Sequence, residues 1–157
     1  MSDAISAGTQ FGTFEKQDKI LVALSGGVDS SVTLQILRDQ GFDVSAVVIR
    51  FSPAHDKAVE AAKEVAKQLN VPLSVADCTD LFERSVIEPF CESYCGGETP
   101  SPCVICNPLV KFRALCEAAD EMGIELVATG HYARVEERDG MYHVAKAVSE
   151  ARDQSYM

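Results

Sequence analysis

The sequence predicts an α/β fold in which helices cover both faces of a parallel sheet. Short apolar runs alternate with amphipathic helical segments, and this alternation is typical of such sheets. The runs are continuous rather than alternating, as in strands that are buried on both faces. A chain of 157 residues that is 46% hydrophobic and 24% charged has the size and composition of one globular domain.

The elements can be placed in order along the chain. The predicted strands are the apolar runs at residues 19–24, 44–51, 73–76 and 124–129. The predicted helices, whose apolar residues recur at three- and four-residue spacing, cover residues 29–40, 56–68 and 109–122. Residues 132–135 and 141–148 flank an Asp139-Gly140 pair, which predicts a C-terminal β-hairpin.

The ends and the hydropathy of the chain bear on its location. Residues 1–18 are small and polar, which predicts a flexible N-terminal tail before a domain at 19–157. They lack the basic start and apolar stretch of a signal peptide. No apolar run approaches the roughly 18–20 residues that span a bilayer, so we expect a cytoplasmic protein without a membrane partner. The oligomeric state is left open.

A glycine- and serine-rich loop, Ser25-Gly26-Gly27-Val28-Asp29-Ser30-Ser31, joins the first strand to the first helix. Glycines let the backbone approach an anion, and a helix N-terminus offers unpaired N–H groups. Asp29 is expected either to cap the helix or to hold Mg²⁺ against a polyphosphate. The alternative, an ordinary connection with a serine cap, does not account for both glycines and the acid together. No Gly-Lys-Ser/Thr follows, so this is not a Walker loop.

The loop resembles the PP-loop of the ATP pyrophosphatases, which split ATP between the α and β phosphates. The resemblance implies a Rossmann-like fold of the adenine nucleotide alpha hydrolase type, and adenylation chemistry. Further segments resemble the tRNA-specific 2-thiouridylase family in order and spacing: 99–107, Lys111-Phe112, 128–132 and 152–156. The family exchanges oxygen for sulfur at C2 of a wobble uridine in tRNA, using ATP, Mg²⁺ and a sulfur donor, either a persulfide carrier protein or sulfide.

The resemblance also implies roles for individual residues. Cys106 matches the catalytic cysteine. The positions that match ATP-binding ones are Ala23, Leu24, Ser25, Gly26, Gly27, Val28, Asp29, Ser30, Ile49 and Gly130. The positions that match tRNA-contacting ones are Ser101, Pro102, Cys103, Arg152, Asp153 and Gln154.

The chain departs from the family pattern in three ways. It stops at Met157, before the second, persulfide-carrying cysteine, and we expect it to be an N-terminal piece of a longer protein, the alternative being a stand-alone subunit. The further domains that help to grip tRNA are absent, and a net charge of −10 predicts weak RNA binding by this chain alone. Cys103 stands where many members carry an aspartate.

The cysteines allow a second hypothesis. Cys91, Cys95, Cys103 and Cys106 are four of the six cysteines and lie within sixteen positions. Four thiolates at one point can hold zinc or an iron–sulfur cluster. The alternatives are free thiols around one catalytic cysteine, or a Cys103–Cys106 disulfide in an oxidised sample.

Two other functions remain open on the sequence. One is a PP-loop enzyme that adenylates a small molecule, and the other is a metal- or cluster-binding thiol module that keeps a nucleotide pocket. Single residues are also open to two interpretations. His131 either contacts ATP or the adenylated base, or is a hydrogen-bonded histidine at a strand end. Lys111 either contacts tRNA phosphate or lies on a solvated helix face.

Overall fold

The centre of the fold is a parallel sheet of four strands, seen in a computed structural model that describes residues 18–156. The strands are β1 (Lys19–Ala23), β2 (Asp43–Arg50), β3 (Leu73–Asp77) and β4 (Leu126–Ala128). Their order is β3-β2-β1-β4. The predicted strands agree with these bounds to within two residues. All but the last residue of the predicted tail, 1–18, lies outside the described residues.

Six α-helices connect the strands among residues 18–156: α1 (Val28–Asp39), α2 (Asp56–Gln68), α3 (Thr79–Phe82), α4 (Glu88–Cys95), α5 (Pro102–Cys106) and α6 (Phe112–Met122). Two π-helical turns join short α-helices into longer continuous ones. Glu83–Ile87 joins α3 to α4, and Asn107–Lys111 joins α5 to α6. Short 3-10 turns lie at Pro53–His55 and Glu150–Arg152. No helix in this described part is long and apolar enough to cross a membrane.

The core has two layers because successive strand residues point to opposite faces of the sheet. Ile20 and Val22 on β1 pack with Leu34 of α1 and with Val59, Ala62 and Ala66 of α2. Leu21 faces the other way and packs with Val47, Leu115 and Ala119. Helices therefore cover both faces of the sheet, as predicted.

The predicted hairpin is confirmed. Strand β5 (Arg134–Arg138) pairs antiparallel with β6 (Met141–Ala145). Asp139 and Gly140 connect them with φ values of 53° and 76°. Positive φ at both central residues is the geometry that matches the twist of a two-residue hairpin.

Three local predictions need correction. The segment around Cys106 lies outside the predicted helices but is helical, and Pro102 occupies the first turn of α5, where its missing N–H costs nothing. Residues 79–95 are helical and were not predicted. The apolar stripe Val28, Val32 and Ile36 on α1 faces outward with exposures of 77%, 49% and 50%, while Ser30 and Leu34 are its buried residues.

The chain order creates a crevice at one edge of the sheet. Strands β1, β2 and β3 follow one another in one direction, and β4 returns to the other side of β1. Such a reversal opens a space beyond the carboxyl ends of the two central strands, where ligands bind in open α/β sheets. The glycine- and serine-rich loop leaves β1 at this point.

Candidate functional site

A cavity of about 570 Å³ lies at the carboxyl edge of the sheet, within the usual size range of ligand sites. Four parts of the chain form its wall: the ends of β1, β2 and β4 with the residues that follow them, the first turn of α1, Lys111 of the second π-helical turn, and the C-terminal segment after the hairpin. The predicted residues that line it are Ala23, Leu24, Ser25, Asp29, Ser30, Ile49, Gly130, Arg152, Asp153 and Gln154.

The loop between β1 and α1 is held by its own serines. The Ser30 hydroxyl accepts a bond of 3.1 Å from the Ser25 N–H and donates to the Gly27 carbonyl at 3.2 Å. The Ser31 hydroxyl donates to the same carbonyl at 2.8 Å. Gly27 is the N-cap of α1, and no side chain caps the helix. The first amide groups of α1 are therefore open to an anion, as the sequence predicts.

Two glycines let this loop pack closely. Gly26 has φ 76°, and a Cβ there would lie 2.8 Å from the Ala58 carbonyl oxygen of α2. Gly130 follows β4, and a Cβ there would lie 3.0 Å from the Ser30 nitrogen. Gly26, Gly27 and Val28 themselves do not line the cavity wall, since they form the turn behind it.

Asp29 is exposed at the start of α1 and points to the C-terminal half of the chain. Its Oδ1 accepts a hydrogen bond of 2.7 Å from the Tyr132 hydroxyl. The Arg152 guanidinium lies over the Tyr132 ring, 5.6 Å from its centroid, and donates to the same hydroxyl at 3.3 Å. The predicted phosphate loop and the predicted tRNA segment thus meet in one wall.

Hydrogen bonds fold the segment 152–154 onto this wall. Gln154 pairs with the Tyr132 backbone twice, with its Oε1 accepting from the Tyr132 N–H and its own N–H donating to the Tyr132 carbonyl, both at 2.9 Å. Asp153 accepts from the Ala147 N–H at 2.8 Å and from Ser155. The bond from Ala147 is the main reason that the pKa of Asp153 is lowered. Its carboxylate therefore organises the segment.

The helix α5 carries the predicted catalytic thiol beside this cavity. Cys106 is half-buried and Cys103 is exposed, and neither lines the cavity wall, nor do Ser101 and Pro102. Burial raises the pKa of the Cys106 thiol, while the Lys111 ammonium opposes that shift. Lys111, at the end of the π-helical turn that continues α5, lines the cavity.

His131 lines the same cavity as a hydrogen-bonded strand-end histidine. Its Nδ1 shares a hydrogen bond of 2.8 Å with the Thr129 hydroxyl, and its ring lies 5.6 Å from that of Phe112. Burial, together with the charge of Lys111, lowers the pKa of His131. The imidazole is therefore neutral at pH 7.

The suggested four-thiol metal centre is not assembled. Cys91 and Cys95 are exposed on α4, whereas Cys103 and Cys106 lie on α5. Across residues 18–156, no three cysteine, histidine or acidic side chains are grouped closely enough to hold a metal ion. The four thiols do not fit zinc or an iron–sulfur cluster in this arrangement, because such a centre needs its ligands at one point. All six thiols are free, including Cys103 and Cys106.

Phe51, Thr129 and Tyr132 also line the cavity, and none of them was among the predicted site residues, although Thr129 and Tyr132 lie in the segment 128–132 that resembles the family. Phe51 and Thr129 directly follow the ends of β2 and β4, so their position after a predicted parallel strand was a usable signal. Tyr132 carried no such signal, since its partner Asp29 lies 103 positions earlier.

Known proteins resemble this chain in sequence over most of its length. A protein of Syntrophotalea carbinolica, named tRNA-specific 2-thiouridylase MnmA, is 45% identical over 152 residues. Its namesake in Clostridium acetobutylicum is 39% identical over 151 residues. The matches cover 90% and 88% of this chain and 42% of each relative. The chain therefore spans less than half the length of these curated relatives.

Solved structures share the fold. The U34-tRNA thiolase NcsA from Methanococcus maripaludis, described with its 4Fe–4S cluster, superimposes with a TM-score of 0.58 at 17% identity, over 75% of this chain and 40% of that one. The glutamine-dependent NAD+ synthetase from Acinetobacter baumannii superimposes with a TM-score of 0.50 at 24% identity. The superposition covers 74% of this chain and 22% of that one. At these identities the likeness concerns the architecture alone.

Residues 18–157 match the family described as the tRNA methyl transferase HUP domain. The match includes the phosphate loop, the thiol helix and the C-terminal segment that closes the cavity. This chain belongs to that family.

Proposed function

We propose that residues 19–157 form the ATP-binding and adenylating domain of a tRNA 2-thiouridylase. The observation that carries the proposal is the cavity at the strand-order reversal, which is lined by the first turn of α1, uncapped by any side chain, and by Lys111 of the π-helical turn that follows the thiol helix α5. The names of the relatives that are 45% and 39% identical support the same reaction. The family description instead names methyl transfer. A phosphate-binding cradle favours the ATP-dependent reaction, because methyl transfer needs no polyphosphate site.

ATP fits the cavity with its phosphates toward the loop. The open amides of α1 and the Ser25 hydroxyl offer donors to phosphate oxygens, and Gly130 leaves no side chain in the way. The apolar Ile49 and Phe51 at the end of β2 offer a surface for the adenine. Asp29, an exposed carboxylate beside the loop, is the residue that would hold Mg²⁺, a cation that prefers oxygen ligands. Bound Mg²⁺ would neutralise phosphate charge.

The proposed reaction has two steps. The C2 oxygen of the uridine attacks the α-phosphorus of ATP, and pyrophosphate leaves. A sulfur nucleophile then attacks C2, and AMP leaves with the original oxygen. If the nucleophile is hydrosulfide, loss of its proton leaves the thiocarbonyl. If it is the outer sulfur of a persulfide, a second thiolate attacks the inner sulfur, breaks the S–S bond and forms a disulfide with the donor cysteine. Adenylation thus turns a poor leaving group into a good one, and the protein contributes positioning and charge neutralisation.

Cys106 is the thiol that we assign to the second step. Because burial raises its pKa, it rests mainly as a thiol and needs a nearby cation to react as a thiolate. Lys111 is the cation that the geometry offers, and it also faces the cavity where phosphates would lie. One ammonium is then shared between the phosphate side and the sulfur side of the reaction.

The tRNA would approach over the segment 152–154, which lines the cavity, and over the α5 helix. With a net charge of −10 this chain offers little attraction for an RNA backbone. The remaining length of the relatives is the proposed source of the tRNA grip. The same acidic balance favours a second candidate function, in which the cavity adenylates a small molecule rather than RNA.

Replacement of Cys106 tests the assignment. We expect Cys106→Ser to lose thiolation of tRNA while ATP affinity changes by less than about twofold, since Cys106 does not line the cavity. Cys116→Ser, at an exposed thiol on α6, is the matched control and keeps thiolation. Thiolated tRNA from the Cys106→Ser protein at the normal rate would refute the role of this thiol.

A further inference from the structure

Tyr132 joins three parts of the site that are far apart in sequence. Its hydroxyl donates to Asp29 Oδ1 at 2.7 Å, across 103 positions. Its ring lies beneath the Arg152 guanidinium. Its backbone N–H and carbonyl both pair with Gln154. The glycine- and serine-rich loop, the segment after β4 and the C-terminal segment are thus joined by one residue.

The bond between Tyr132 and Asp29 lies at a boundary. Both residues line the cavity of about 570 Å³, and both also line a neighbouring cavity of about 260 Å³ beside Val32 and Thr33 of α1. The Tyr132 hydroxyl therefore donates a hydrogen bond to one oxygen of the Asp29 carboxylate at the place where the two cavities meet. Oδ2 of Asp29 is left for another partner.

An exposed aspartate without such a bond rotates among several orientations and must be ordered when it binds a ligand. A hydrogen bond to one oxygen removes most of that freedom in advance. Arg152 contacts the Tyr132 ring, and Gln154 is bonded to the Tyr132 backbone. A shift of the segment 152–154 would therefore move Tyr132 and, through its hydroxyl, the Asp29 carboxylate.

We propose that Tyr132 is a positioning residue: its hydroxyl fixes the Asp29 carboxylate for the divalent cation that accompanies a nucleoside triphosphate, and links that carboxylate to the segment 152–154. The inference rests on the proposed function in taking Mg²⁺–ATP as the ligand. It is independent of the tRNA acceptor and of Cys106.

Tyr132→Phe removes the hydroxyl with its bonds to Asp29 and Arg152, and it keeps the ring under Arg152 and the backbone pairs with Gln154. We expect ATP titrations of the 157-residue chain by calorimetry to give about five- to tenfold weaker binding with Mg²⁺ for this variant, a loss within the range for an ordinary hydrogen bond. In EDTA the two proteins should agree within about twofold. A merely structural defect would weaken both titrations alike.

A double substitution tests the route of the effect. If Tyr132 acts through Asp29, Tyr132→Phe has no further effect on Mg²⁺–ATP affinity in an Asp29→Asn background. Tyr94→Phe is the matched control, because Tyr94 is 67% exposed on α4 and lies outside both cavities. It should bind Mg²⁺–ATP like the parent protein.

The outcomes separate the two proposals. Equal Mg²⁺–ATP affinities for Tyr132→Phe and the parent chain would overturn the role of Tyr132 and leave the proposed function standing. Equal losses in Mg²⁺ and in EDTA, or a full further loss in the Asp29→Asn background, would also overturn it. A parent chain that binds no Mg²⁺–ATP would overturn the proposed function and this inference with it.

Discussion

Gly130 lies so close to the first turn of α1 that a Cβ atom on it would be 3.0 Å from the backbone nitrogen of Ser30. The end of β4 and the phosphate loop therefore touch backbone to backbone, although 100 positions of sequence separate them. Two segments that the sequence marks independently form one wall of the cavity.

Gly130→Ala should weaken both the fold and ATP binding. The added methyl group meets backbone atoms of Asp29 and Ser30, which cannot rotate away. We expect the free energy of unfolding to fall by about 1–3 kcal/mol, the usual range for overpacking, and ATP affinity to fall because the loop is displaced. Urea unfolding and ATP titration measure the two effects. Gly96→Ala, whose Cβ would lie an ordinary 3.4 Å from the Ser93 oxygen, is the control, and equal stabilities would contradict the contact.

Gly26→Ala should be more damaging still. Gly26 has φ 76°, and its Cβ would lie 2.8 Å from the Ala58 oxygen and 2.9 Å from Ala61 Cβ. Gly140 also has φ 76° but has nothing within 4 Å of its Cβ position. Gly140→Ala should therefore lose only the roughly 1–2 kcal/mol of left-handed strain. The urea midpoint of Gly26→Ala should lie clearly below that of Gly140→Ala, and coinciding midpoints would mean that the close approach to α2 is unimportant.

The Cys106 thiol should be slow to alkylate at neutral pH. Burial raises its pKa, so the thiolate becomes the main form only above the pH at which an ordinary thiol ionises. Lys111→Met removes the cation that opposes this shift and should move the midpoint to a still higher pH. Iodoacetamide labelling at Cys106, followed by mass spectrometry from pH 7 to 10.5, measures it. Lys67→Met on α2 is the control. An unchanged midpoint of the pH dependence of labelling in Lys111→Met would contradict the effect of Lys111 on Cys106.

Thr79→Val should reduce the acid sensitivity of the fold. Hydrogen bonds from Thr79, and then from Arg50, lower the pKa of Asp77. A carboxyl whose pKa is depressed on folding stabilises the protein above its unfolded pKa, and that contribution is lost as the pH falls through the folded value. The variant should therefore have a lower free energy of unfolding than the parent at pH 7, and the difference between the two proteins should be smaller at pH 3. Urea unfolding of both proteins at both pH values measures this difference. A larger difference at pH 3 than at pH 7 would contradict the prediction.

The sequence was sufficient for features that depend on local pattern. Continuous apolar runs placed the four strands, and Asp139-Gly140 placed the hairpin turn. The position of the glycine- and serine-rich loop between β1 and α1 was also predicted, and its role in binding phosphate stays a prediction. The suggested grouping of four thiols failed, because proximity in sequence did not place α4 and α5 side by side at one point.

The helix at residues 79–95 could not be predicted from the spacing of apolar residues, because it contains a π-helical turn. Such a turn adds a residue to a helical turn and shifts the apolar face, so that residues 79–95 lose the 3.6-residue period. The same geometry continues the helix past Pro108, which locally indicates a break. Contacts such as that of Tyr132 with Asp29 arise only when the sheet brings the ends of β1 and β4 together.

Our central claim is that this cavity adenylates a tRNA base. The most direct measurement follows α-labelled ATP with Mg²⁺, sulfide and bulk tRNA, beside the same mixture without tRNA. We predict that labelled AMP forms only when tRNA is present. AMP at equal rates in both mixtures would contradict the claim and indicate a small-molecule acceptor or uncoupled hydrolysis.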